Sequence, residues 1–263
     1  MKIASWNVNS LRVRLEQVLE WLESTQVDIL GVQETKLQDT NFPLEAINSA
    51  GYDVLYSGQK TYNGVALLAH RERVVEKLGP MLYPVTNLPG FDDTQKRILA
   101  ATIGDLRIIN LYVPNGAVPD SDKYRYKLAW LEALYEFLRI QLNDHPRMVV
   151  MGDFNIAPED ADVHDPKKWE GSVLVSPRER KALQKIVSLG FCDSFRQFAQ
   201  EDGQFSWWDY RAAGFRLNKG LRIDLILASD AILEHLTGSW IDREPRAWQR
   251  PSDHTPVVTE FTF

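Results

Sequence analysis

The sequence predicts an α/β protein in which helices cover sheets that contain antiparallel strands. Short apolar runs alternate with longer segments whose apolar residues recur at helical spacing. Turn signals at Gly104-Asp105 and within Gly58–Gly64 join consecutive apolar runs, which indicates hairpins and therefore sheets that are antiparallel in part. Each predicted helix has one apolar face, so we expect sheets inside and helices outside. The pattern alone leaves the number of sheets open.

Nine segments have the features of β-strands, because each is short, largely apolar and bounded by turn residues. In chain order they are Lys2–Val8, Asp28–Gln33, Tyr52–Ser57, Val65–Ala69, Ile98–Ile103, Leu106–Val113, Arg147–Met151, Ile223–Ala228 and Pro256–Phe263. No linker rich in Gly, Ser or Pro separates them. We therefore expect a single domain over residues 1–263.

Three segments have the apolar stripe of an amphipathic helix. They are Arg14–Ser24, Asp122–Leu142 and Pro177–Leu189. The third has the clearest start, because Ser176 is a natural N-cap, proline occupies the first helical position, and Glu179 completes a capping box. The aromatic residues on these stripes are better explained as core than as cofactor contacts.

Composition limits the class of protein. The chain has 263 residues, 44% of them hydrophobic, which is enough for one large core. Cys192 is the only cysteine, so an intramolecular disulfide is excluded and a reducing compartment is favoured. The first residues, Met1–Trp6, lack the apolar run of a signal peptide, and no stretch has the roughly 20 apolar residues of a membrane span. We therefore expect a soluble, cytoplasmic protein.

The charge balance gives weak information about partners. The net charge of −6 weighs mildly against a nucleic-acid ligand, because attraction to phosphate is the main source of non-specific binding. A nuclease that binds metal nevertheless concentrates carboxylates at its centre and can keep basic residues at its rim. The basic residues occur in local clusters, such as Lys123, Arg125 and Lys127, and each cluster alone is best explained as solvated surface.

Polar side chains stand repeatedly at the ends of the predicted strands, where a rigid sheet can hold functional groups. They are Asn7, Glu34, Tyr112, Asp153, Asn155, Asp224, Asp253 and His254. This oxygen-rich set suits a hard cation such as Mg²⁺, and the absence of HExxH and CxxC patterns argues against zinc. Phosphodiester cleavage needs an activated water, stabilisation of the charged transition state and a neutralised leaving oxygen, which carboxylates, amides, an imidazole and a metal can supply.

Each of these residues also has a plain structural explanation. Asn7 could be a turn former, Tyr112 a core aromatic, Gly152–Asn155 a β-turn and His254 a satisfied structural histidine. Asp224 is harder to explain in this way, because an ionised carboxylate within an apolar strand needs a partner. The structural explanations are reasonable singly and poor when all must hold in one chain.

Five ordered motifs resemble those of the exonuclease III family, within the larger endonuclease/exonuclease/phosphatase superfamily. They are Trp6–Arg12, Gln33–Lys36, Gly152–Pro158, Gly220–Asp224 and Pro251–Val257. They extend from the first strand to the last, and the chain has no departure at a catalytic position. The resemblance implies a four-layer αββα sandwich, with two facing mixed sheets covered by helices and the active site at one end of the sheets. It also implies a monomeric enzyme that hydrolyses double-stranded DNA at abasic sites and 3′ ends.

The resemblance further implies a Mg²⁺ ion, which Mn²⁺ could replace. Glu34 would be the principal ligand, with Asn7 nearby and Asp253 as a direct or water-mediated ligand. The implied residues around the ion are Asn7, Glu34, Asp153, Asn155, Asp253 and His254. The number of metal ions stays open.

The same resemblance implies roles in catalysis. Asp153 would activate the attacking water, and Asn155 would bind phosphate and help to position Asp153. His254 would meet the scissile phosphate, oriented by Asp224, and Tyr112 would contact the phosphate. Residue type alone leaves Asp153 and His254 as two possible bases.

Contacts with DNA are implied less directly. An aromatic cluster precedes several arginines, and the resemblance places Trp207, Leu221 and Ile223 around an extruded abasic sugar. Lys36 and Arg97 would contact the DNA backbone, although solvated charge explains them nearly as well. The segment from 158 to 175 is expected to form a loop beside the site that tunes specificity.

Two alternatives remain at this stage. The first is another phosphoesterase of the same fold, such as an inositol-phosphate phosphatase, a sphingomyelinase-like lipase or a secreted nuclease. The single cysteine, the missing signal peptide and the absence of membrane-facing features disfavour the last two. The second is a catalytically inactive DNA-binding module, which should lack a carboxylate or the histidine at one strand end.

Overall fold

Two six-stranded sheets form the centre of the computed structural model, which describes residues 1–263. The first sheet contains β1 (Lys2–Asn7), β2 (Ile29–Gln33), β3 (Tyr52–Ser57), β4 (Val65–His70), β13 (Leu236–Ile241) and β14 (Val257–Phe261). The order of its strands is β13-β14-β1-β2-β4-β3. Only β1 and β2 run parallel, so the sheet is mixed.

The second sheet has the same size and a similar mixture of strand directions. It contains β5 (Leu82–Val85), β6 (Ile98–Ile103), β7 (Leu106–Tyr112), β8 (Met148–Asp153), β9 (Phe191–Asp193) and β12 (Asp224–Ser229). The order is β5-β6-β7-β8-β12-β9, with only β7 and β8 parallel. A separate two-stranded ribbon pairs β10 (Trp207–Trp208) with β11 (Gly220–Leu221).

The helices are α1 (Leu11–Thr25), α2 (Leu44–Ser49), α3 (Glu76–Leu78), α4 (Asp122–Asp144), α5 (Pro166–Trp169) and α6 (Pro177–Val187). A π-helical turn covers Arg71–Val75, and short 3-10 turns cover Asp39–Asn41, Asp160–Asp162, Ser194–Gln197, Arg211–Ala213, Asp230–His235 and Glu244–Ala247. The predicted capping box at the start of α6 is present, with Ser176 and Glu179 each bonded to the backbone of the other.

Three apolar clusters separate the layers. One lies between the two sheets, one packs the first sheet against α1 and α2, and one packs the second sheet against α4 and α6. β1 shows how a strand serves two of them, because Ile3 points into the cluster between the sheets while Ala4 and Trp6 point towards α1. A strand that is covered on both faces must be apolar on both. The predicted four-layer αββα sandwich is therefore confirmed.

A buried polar contact fixes how the two sheets face each other. Asn110 on β7 donates to the carbonyl oxygens of Val32 and Ala66 in the first sheet, each at 2.9 Å. Its own oxygen accepts from Gln33 Nε2 at 2.6 Å. Such bonds are directional, so this contact specifies one alignment of the sheets near the end where Gln33 lies.

The nine predicted strands and the three predicted helices are all present, with bounds that differ by at most three residues. The short strands β5, β9, β10, β11 and β13 were not predicted. The structure contains no helix with the length and apolarity needed to cross a membrane.

Candidate active site

The register of the strands brings the predicted residues together at one end of the sandwich. In the second sheet, Tyr112 lies opposite Asp153, and Asp153 lies opposite Asp224. In the first sheet, Asn7 lies opposite Gln33, which directly precedes Glu34. These residues are the first or last of their strands. Because the sheets face each other, the two rows of polar residues form one site.

Asn7 links the carboxylates of the two sheets. Its amide nitrogen donates to Glu34 Oε1 and to Asp153 Oδ2, each at 2.9 Å, and its side chain is fully buried. Its oxygen accepts from the backbone N–H of Asn9 at 3.0 Å. The amide therefore presents its nitrogen to the site, and its contribution in this geometry is to hold two carboxylates at a fixed separation.

Asp153 is buried at the end of β8 and accepts three hydrogen bonds. Besides the one from Asn7, Asn155 donates its backbone N–H to Oδ1 at 2.9 Å and its side-chain nitrogen to Oδ2 at 3.2 Å. Burial raises the pKa of Asp153. Burial is the largest effect and, together with the charges of Asp224 and Glu34, it prevails over the lowering effects of His254 and Asn7, so that the pKa rises to about 7. A carboxylate with a raised pKa is a stronger proton acceptor than an ordinary aspartate.

His254 lies between two buried carboxylates. Its Nδ1 is 2.8 Å from Asp224 Oδ2, and its Nε2 is 3.7 Å from Asp153 Oδ2. Burial lowers the pKa of His254, but the charges of Asp224 and Asp153 outweigh this effect and raise the pKa overall. Ser206 donates its hydroxyl to the same oxygen of Asp224 at 2.6 Å. Asp224 is thereby fixed, and it keeps the imidazole oriented and charged.

Glu34 follows β2 with a left-handed backbone, at φ 52°. Its Oε2 lies 2.9 Å from Lys36 Nζ. Burial raises the pKa of Glu34, but the charge of Lys36 and the hydrogen bond from Asn7 outweigh it, so that the pKa is lowered. Non-glycine residues in this backbone region carry strain that is commonly found at functional sites. Glu34 is therefore an ionised carboxylate held in a constrained position.

Tyr112 is half-buried at the end of β7. The Arg97 guanidinium lies 4.6 Å from the centre of its ring, and Arg97 Nη1 donates to the Tyr112 carbonyl oxygen at 3.2 Å. Burial and the charges of Glu34 and Asp153 raise the pKa of Tyr112 well above its ordinary value. The phenol therefore stays protonated and can donate a hydrogen bond into the site.

Asp253 lies at the rim of the site, and both its oxygens have protein partners. Oδ1 accepts from Asn9 Nδ2 at 2.9 Å, and Oδ2 accepts from Trp207 Nε1 at 3.0 Å. Because each oxygen accepts only one hydrogen bond and keeps a further lone pair, Asp253 can still bind a cation directly or through water. The bond to Trp207 connects the rim to the ribbon of β10 and β11.

A buried lysine supports the loops that carry two asparagines of the site. Asn115 donates its side-chain nitrogen to Asn155 Oδ1 at 3.1 Å. Lys127 Nζ donates to the carbonyl oxygens of both residues, at 3.1 Å to Asn115 and 2.7 Å to Asn155. It also forms a fully buried ion pair with Glu179. The expectation that Lys127 belongs to a solvated face is wrong, because its charge is satisfied inside the protein.

Removal of the Lys127 charge should destabilise the protein strongly. Lys127→Met leaves the Glu179 carboxylate buried without its partner, which typically costs about 3–5 kcal/mol. We expect the free energy of unfolding, measured by urea denaturation at neutral pH, to fall by about that amount.

Lys185→Met is the matched control, because Lys185 pairs with Glu132 at 2.6 Å on the surface, where both side chains are about half exposed. Exposed pairs contribute little to stability. Equal stability of the Lys127→Met and Lys185→Met variants would contradict the structural role of the buried pair.

The residues predicted to contact DNA lie in different surroundings. Lys36 and Arg97 are partly exposed beside the site, and Trp207 is half-buried next to it. Leu221 and Ile223, in contrast, have exposed fractions of 0% and 1%. They belong to a small apolar cluster against which Trp207 packs. In this structure Leu221 and Ile223 support the site from beneath. Of the three apolar residues, only Trp207 offers surface to a ligand.

The segment from 158 to 175, predicted to be a loop, contains a 3-10 turn at Asp160–Asp162 and the four-residue helix α5. It packs onto the same cluster through Val163 and Leu174. It is therefore an ordered wall beside the site.

The donor set fits a hard divalent cation. Carboxylate oxygens of Asp153 and Asp224 lie within 4.8 Å of each other on either side of the charged His254, and the Asn7 amide brings Glu34 beside Asp153. The set is mainly carboxylate oxygen, without thiols, which suits Mg²⁺ or a similar ion. Burial, aided by the charges of Asp224 and Glu34, disfavours the ionised form of Asp153, and a bound cation would favour it.

Several residues of the site escaped the sequence analysis. Ser206, Asn115 and Asn9 make direct hydrogen bonds to the predicted residues. Ser206 lies within the aromatic cluster, where only the aromatic residues were considered. Isolated Ser and Asn residues in loops carry no signal that distinguishes them from ordinary turn formers.

Comparison with known proteins places this chain among DNA-processing enzymes. The model of the endonuclease/exonuclease/phosphatase family matches residues 4–254. A curated relative, exodeoxyribonuclease III of Haemophilus influenzae, is 37% identical over 273 aligned residues, which cover 99% of this chain and 100% of the relative.

Two solved structures share the complete fold. One is the 3′ phosphatase NExo from Neisseria bound to a product DNA hairpin, with 45% identity and a TM-score of 0.95. The other is an AP endonuclease from Archaeoglobus fulgidus, with 37% identity and a TM-score of 0.93. In both cases the match covers 100% of this chain and 100% of the other.

Proposed function

Because the chain belongs to the endonuclease/exonuclease/phosphatase family, we propose that it is a DNA repair nuclease of the exonuclease III type. The reaction is hydrolysis of a DNA phosphodiester at abasic sites and at 3′ termini. The observation that carries this proposal is the meeting of Glu34, Asp153 and His254 at one end of the two sheets. A catalytically inactive DNA-binding module would have no reason to keep all three.

The cofactor in this proposal is Mg²⁺, with Mn²⁺ as a possible substitute. Glu34 is its main protein ligand, because Glu34 is ionised and reaches the site from the first sheet. Asp253, which Asn9 and Trp207 hold at the rim, would be a further direct or water-mediated ligand. When bound, the ion supplies positive charge to the phosphate oxygens and to the leaving oxygen. Magnesium retains several waters and needs few carboxylates, which fits the small number available here.

Asp153 is the base that takes the proton of the attacking water. The two candidates differ in charge, because His254 is held in its protonated form between Asp224 and Asp153, whereas Asp153 is a carboxylate whose raised pKa favours uptake of a proton. A protonated imidazole cannot accept a proton, but it can donate a hydrogen bond to a phosphate oxygen. Tyr112 donates to a remaining non-bridging oxygen. Asn155 donates its two side-chain hydrogens to Val113 O and Asp153 Oδ2 and thereby positions Asp153. This arrangement stabilises the negative charge of the transition state.

A substrate comparison tests the proposal directly. Four duplexes of one sequence are compared in Mg²⁺: an intact blunt duplex, one with a recessed 3′ end, one with a 3′-phosphate and one with an abasic-site analogue. We expect hydrolysis of the damaged or recessed substrates to be well above that of the intact duplex interior. Inositol phosphates serve as the competing substrate class. Hydrolysis of inositol phosphates, together with no hydrolysis of any of the DNA substrates, would overturn the proposal.

Arg97 is proposed to contact a DNA phosphate beside the scissile bond. Its side chain borders a pocket that Lys123 and Tyr126 also line. For Arg97→Ala, we expect weaker binding of every DNA sequence and a loss of about 0.9 from the slope of log affinity against log salt concentration. The measurement is a fluorescence titration of a labelled duplex at several salt concentrations, with Ca²⁺ replacing Mg²⁺ to prevent cleavage.

Arg139→Ala is the control for the loss of one positive charge. Arg139 lies on α4, 16 residues beyond Lys123, or about 24 Å along the helix axis. It is half exposed and pairs with Glu136. Its replacement should leave the salt slope unchanged. The same slope for the Arg97→Ala variant and the unsubstituted protein would refute the contact.

We also infer that residues 1–263 act as one domain, since the family model matches the chain from residue 4 to residue 254, and we propose that this domain is a monomer. A cytoplasmic location is proposed from the substrate and from the single, unpaired Cys192. Size-exclusion chromatography with light scattering would test the monomer.

A further inference from the structure

A small closed cavity lies between the two sheets beside Asp224. The volume open to the centre of a water molecule is about 10 Å³, which is close to the minimum volume that holds one water. Arg222, Asp224, Phe195 and Val257 form parts of its wall. Most cavities of this size in apolar cores stay empty, so the polarity of the wall decides what this one contains.

Two charged groups on the wall each have one atom without a hydrogen-bond partner. Asp224 uses Oδ2 for both Ser206 and His254, and its buried Oδ1 has no partner. Arg222 Nη1 is also buried and has no partner. A desolvated atom of a charged group that lacks a partner costs considerable free energy. One unpaired donor and one unpaired acceptor in the same cavity need a single group that can both accept and donate.

The remainder of the Arg222 guanidinium is fixed by other groups. Nε donates to Asp162 Oδ1 at 2.6 Å, and Nη2 lies 2.7 Å from Asp193 Oδ2. The Phe195 ring covers the guanidinium, with its centre 4.9 Å away. Arg222 therefore cannot turn to reach Asp224 directly. Both residues nevertheless line the same cavity.

We propose that one buried water occupies this cavity and joins Arg222 Nη1 to Asp224 Oδ1. Ser194 and Ser239 also line the cavity. Two to four polar partners are what a buried water usually has. The water is a structural ligand of the fold, and its presence does not depend on any catalytic activity.

The bridge gives Arg222 a positioning role in the reaction. Asp224 holds His254 through Oδ2, and a bond at Oδ1 stops the carboxylate from turning about its axis. Arg222, which is held by its ion pairs with Asp162 and Asp193, thus supports the orientation of the His254 imidazole without touching it. The positioning role of Arg222 rests on the proposed function, whereas the presence of the buried water does not.

A crystal structure at a resolution that shows ordered waters tests the presence of the buried water. We expect one well-ordered water within hydrogen-bond distance of Arg222 Nη1 and Asp224 Oδ1. An empty cavity in that structure, or an Arg222 side chain bonded directly to Asp224, would overturn the proposal. This test remains valid if the protein hydrolyses no DNA, in which case only the proposed function fails.

Two substitutions at Val257 test the positioning role. Val257 lies on β14, opposite Ser5, and its apolar side chain lines the cavity. Val257→Leu adds volume that fills the cavity and expels the water, while Val257→Ala enlarges the cavity and retains it. We expect kcat on a recessed duplex to fall on the order of tenfold in the leucine variant with KM unchanged, and to stay within about twofold in the alanine variant.

Equal kcat values for the two Val257 variants, with the water absent from crystals of the leucine variant, would overturn the positioning role. Loss of kcat in the leucine variant alone would support it. A leucine variant that failed to fold would leave the crystallographic test of the unsubstituted protein decisive for the water.

Discussion

Replacement of Asp153 by asparagine is expected to lower kcat for DNA hydrolysis by about 100- to 10,000-fold. The side chains have the same shape, so the variant should fold normally and bind duplex DNA with nearly unchanged affinity. The amide cannot take the proton of the attacking water. The measurement is single-turnover cleavage of a duplex with a recessed 3′ end in Mg²⁺, together with DNA binding and circular dichroism.

Asp105→Asn is the matched control for this experiment. Asp105 lies in the hairpin between β6 and β7, with its side chain 77% exposed and paired to Arg147. The same chemical change at that position should leave kcat within a factor of about two, as for most surface substitutions. If Asp153→Asn retained activity within a few-fold of the unsubstituted protein, the assignment of Asp153 as the base would be wrong.

Replacement of Glu34 by glutamine is expected to lower the rate by about 100-fold or more and to raise the Mg²⁺ concentration needed for half-maximal activity. A carboxylate ligand contributes charge as well as an oxygen, and even residues that only orient a ligand change metal affinity by about 10–100-fold. The hydrogen bond from Asn7 can persist with the glutamine oxygen, so the shape of the site should be kept. The measurement is the cleavage rate as a function of Mg²⁺ concentration.

Glu136→Gln provides the comparison, because Glu136 is half exposed on α4 and pairs only with Arg139. Its Mg²⁺ dependence should match that of the unsubstituted protein. The Glu34 variant also separates an enzyme from a passive DNA-binding module. If the Glu34→Gln variant acted on DNA in the same way as the unsubstituted protein, DNA binding alone would explain the function.

Most strands could be predicted from the sequence because they are covered on both faces, whereas the four layers were implied only by the resemblance to the exonuclease III family. Ile98–Ile103 is buried at every position, and such a run is clear in the sequence. The missed strands lack that signal. β5 lies at an edge of the second sheet, is largely exposed and contains Pro84. β13 lies at an edge of the first sheet and contains Gly238 and a bulge. Edge strands are often short and polar, since an exposed apolar edge invites aggregation.

The ends of the strands made much of the site predictable. Residues such as Asn7, Asp153 and Asp224 end or begin buried strands, so the sequence indicates both their chemistry and their place. The supporting residues could not be found in this way. Lys127 has the sequence context of a surface lysine, and Glu179 that of a simple capping residue, yet the two form a buried pair. Only the packing of α4 against α6 reveals it.

The surroundings of Leu221 and Ile223 show a further limit. The order of motifs indicates that both lie near the site, and they do lie beneath Trp207. Their complete burial depends on Val163, Leu174 and Val175, which come from a segment without clear periodicity. The sequence therefore indicated their neighbourhood but not their exposure.

The metal dependence of DNA hydrolysis tests the central claim most directly, because the claim is that Glu34, Asp153 and their neighbours act around one divalent ion. The protein is treated with EDTA, and cleavage of a duplex with a recessed 3′ end is measured before and after Mg²⁺ is restored. We expect no cleavage in EDTA and full recovery with Mg²⁺. Cleavage that continues at its original rate in EDTA would contradict the account.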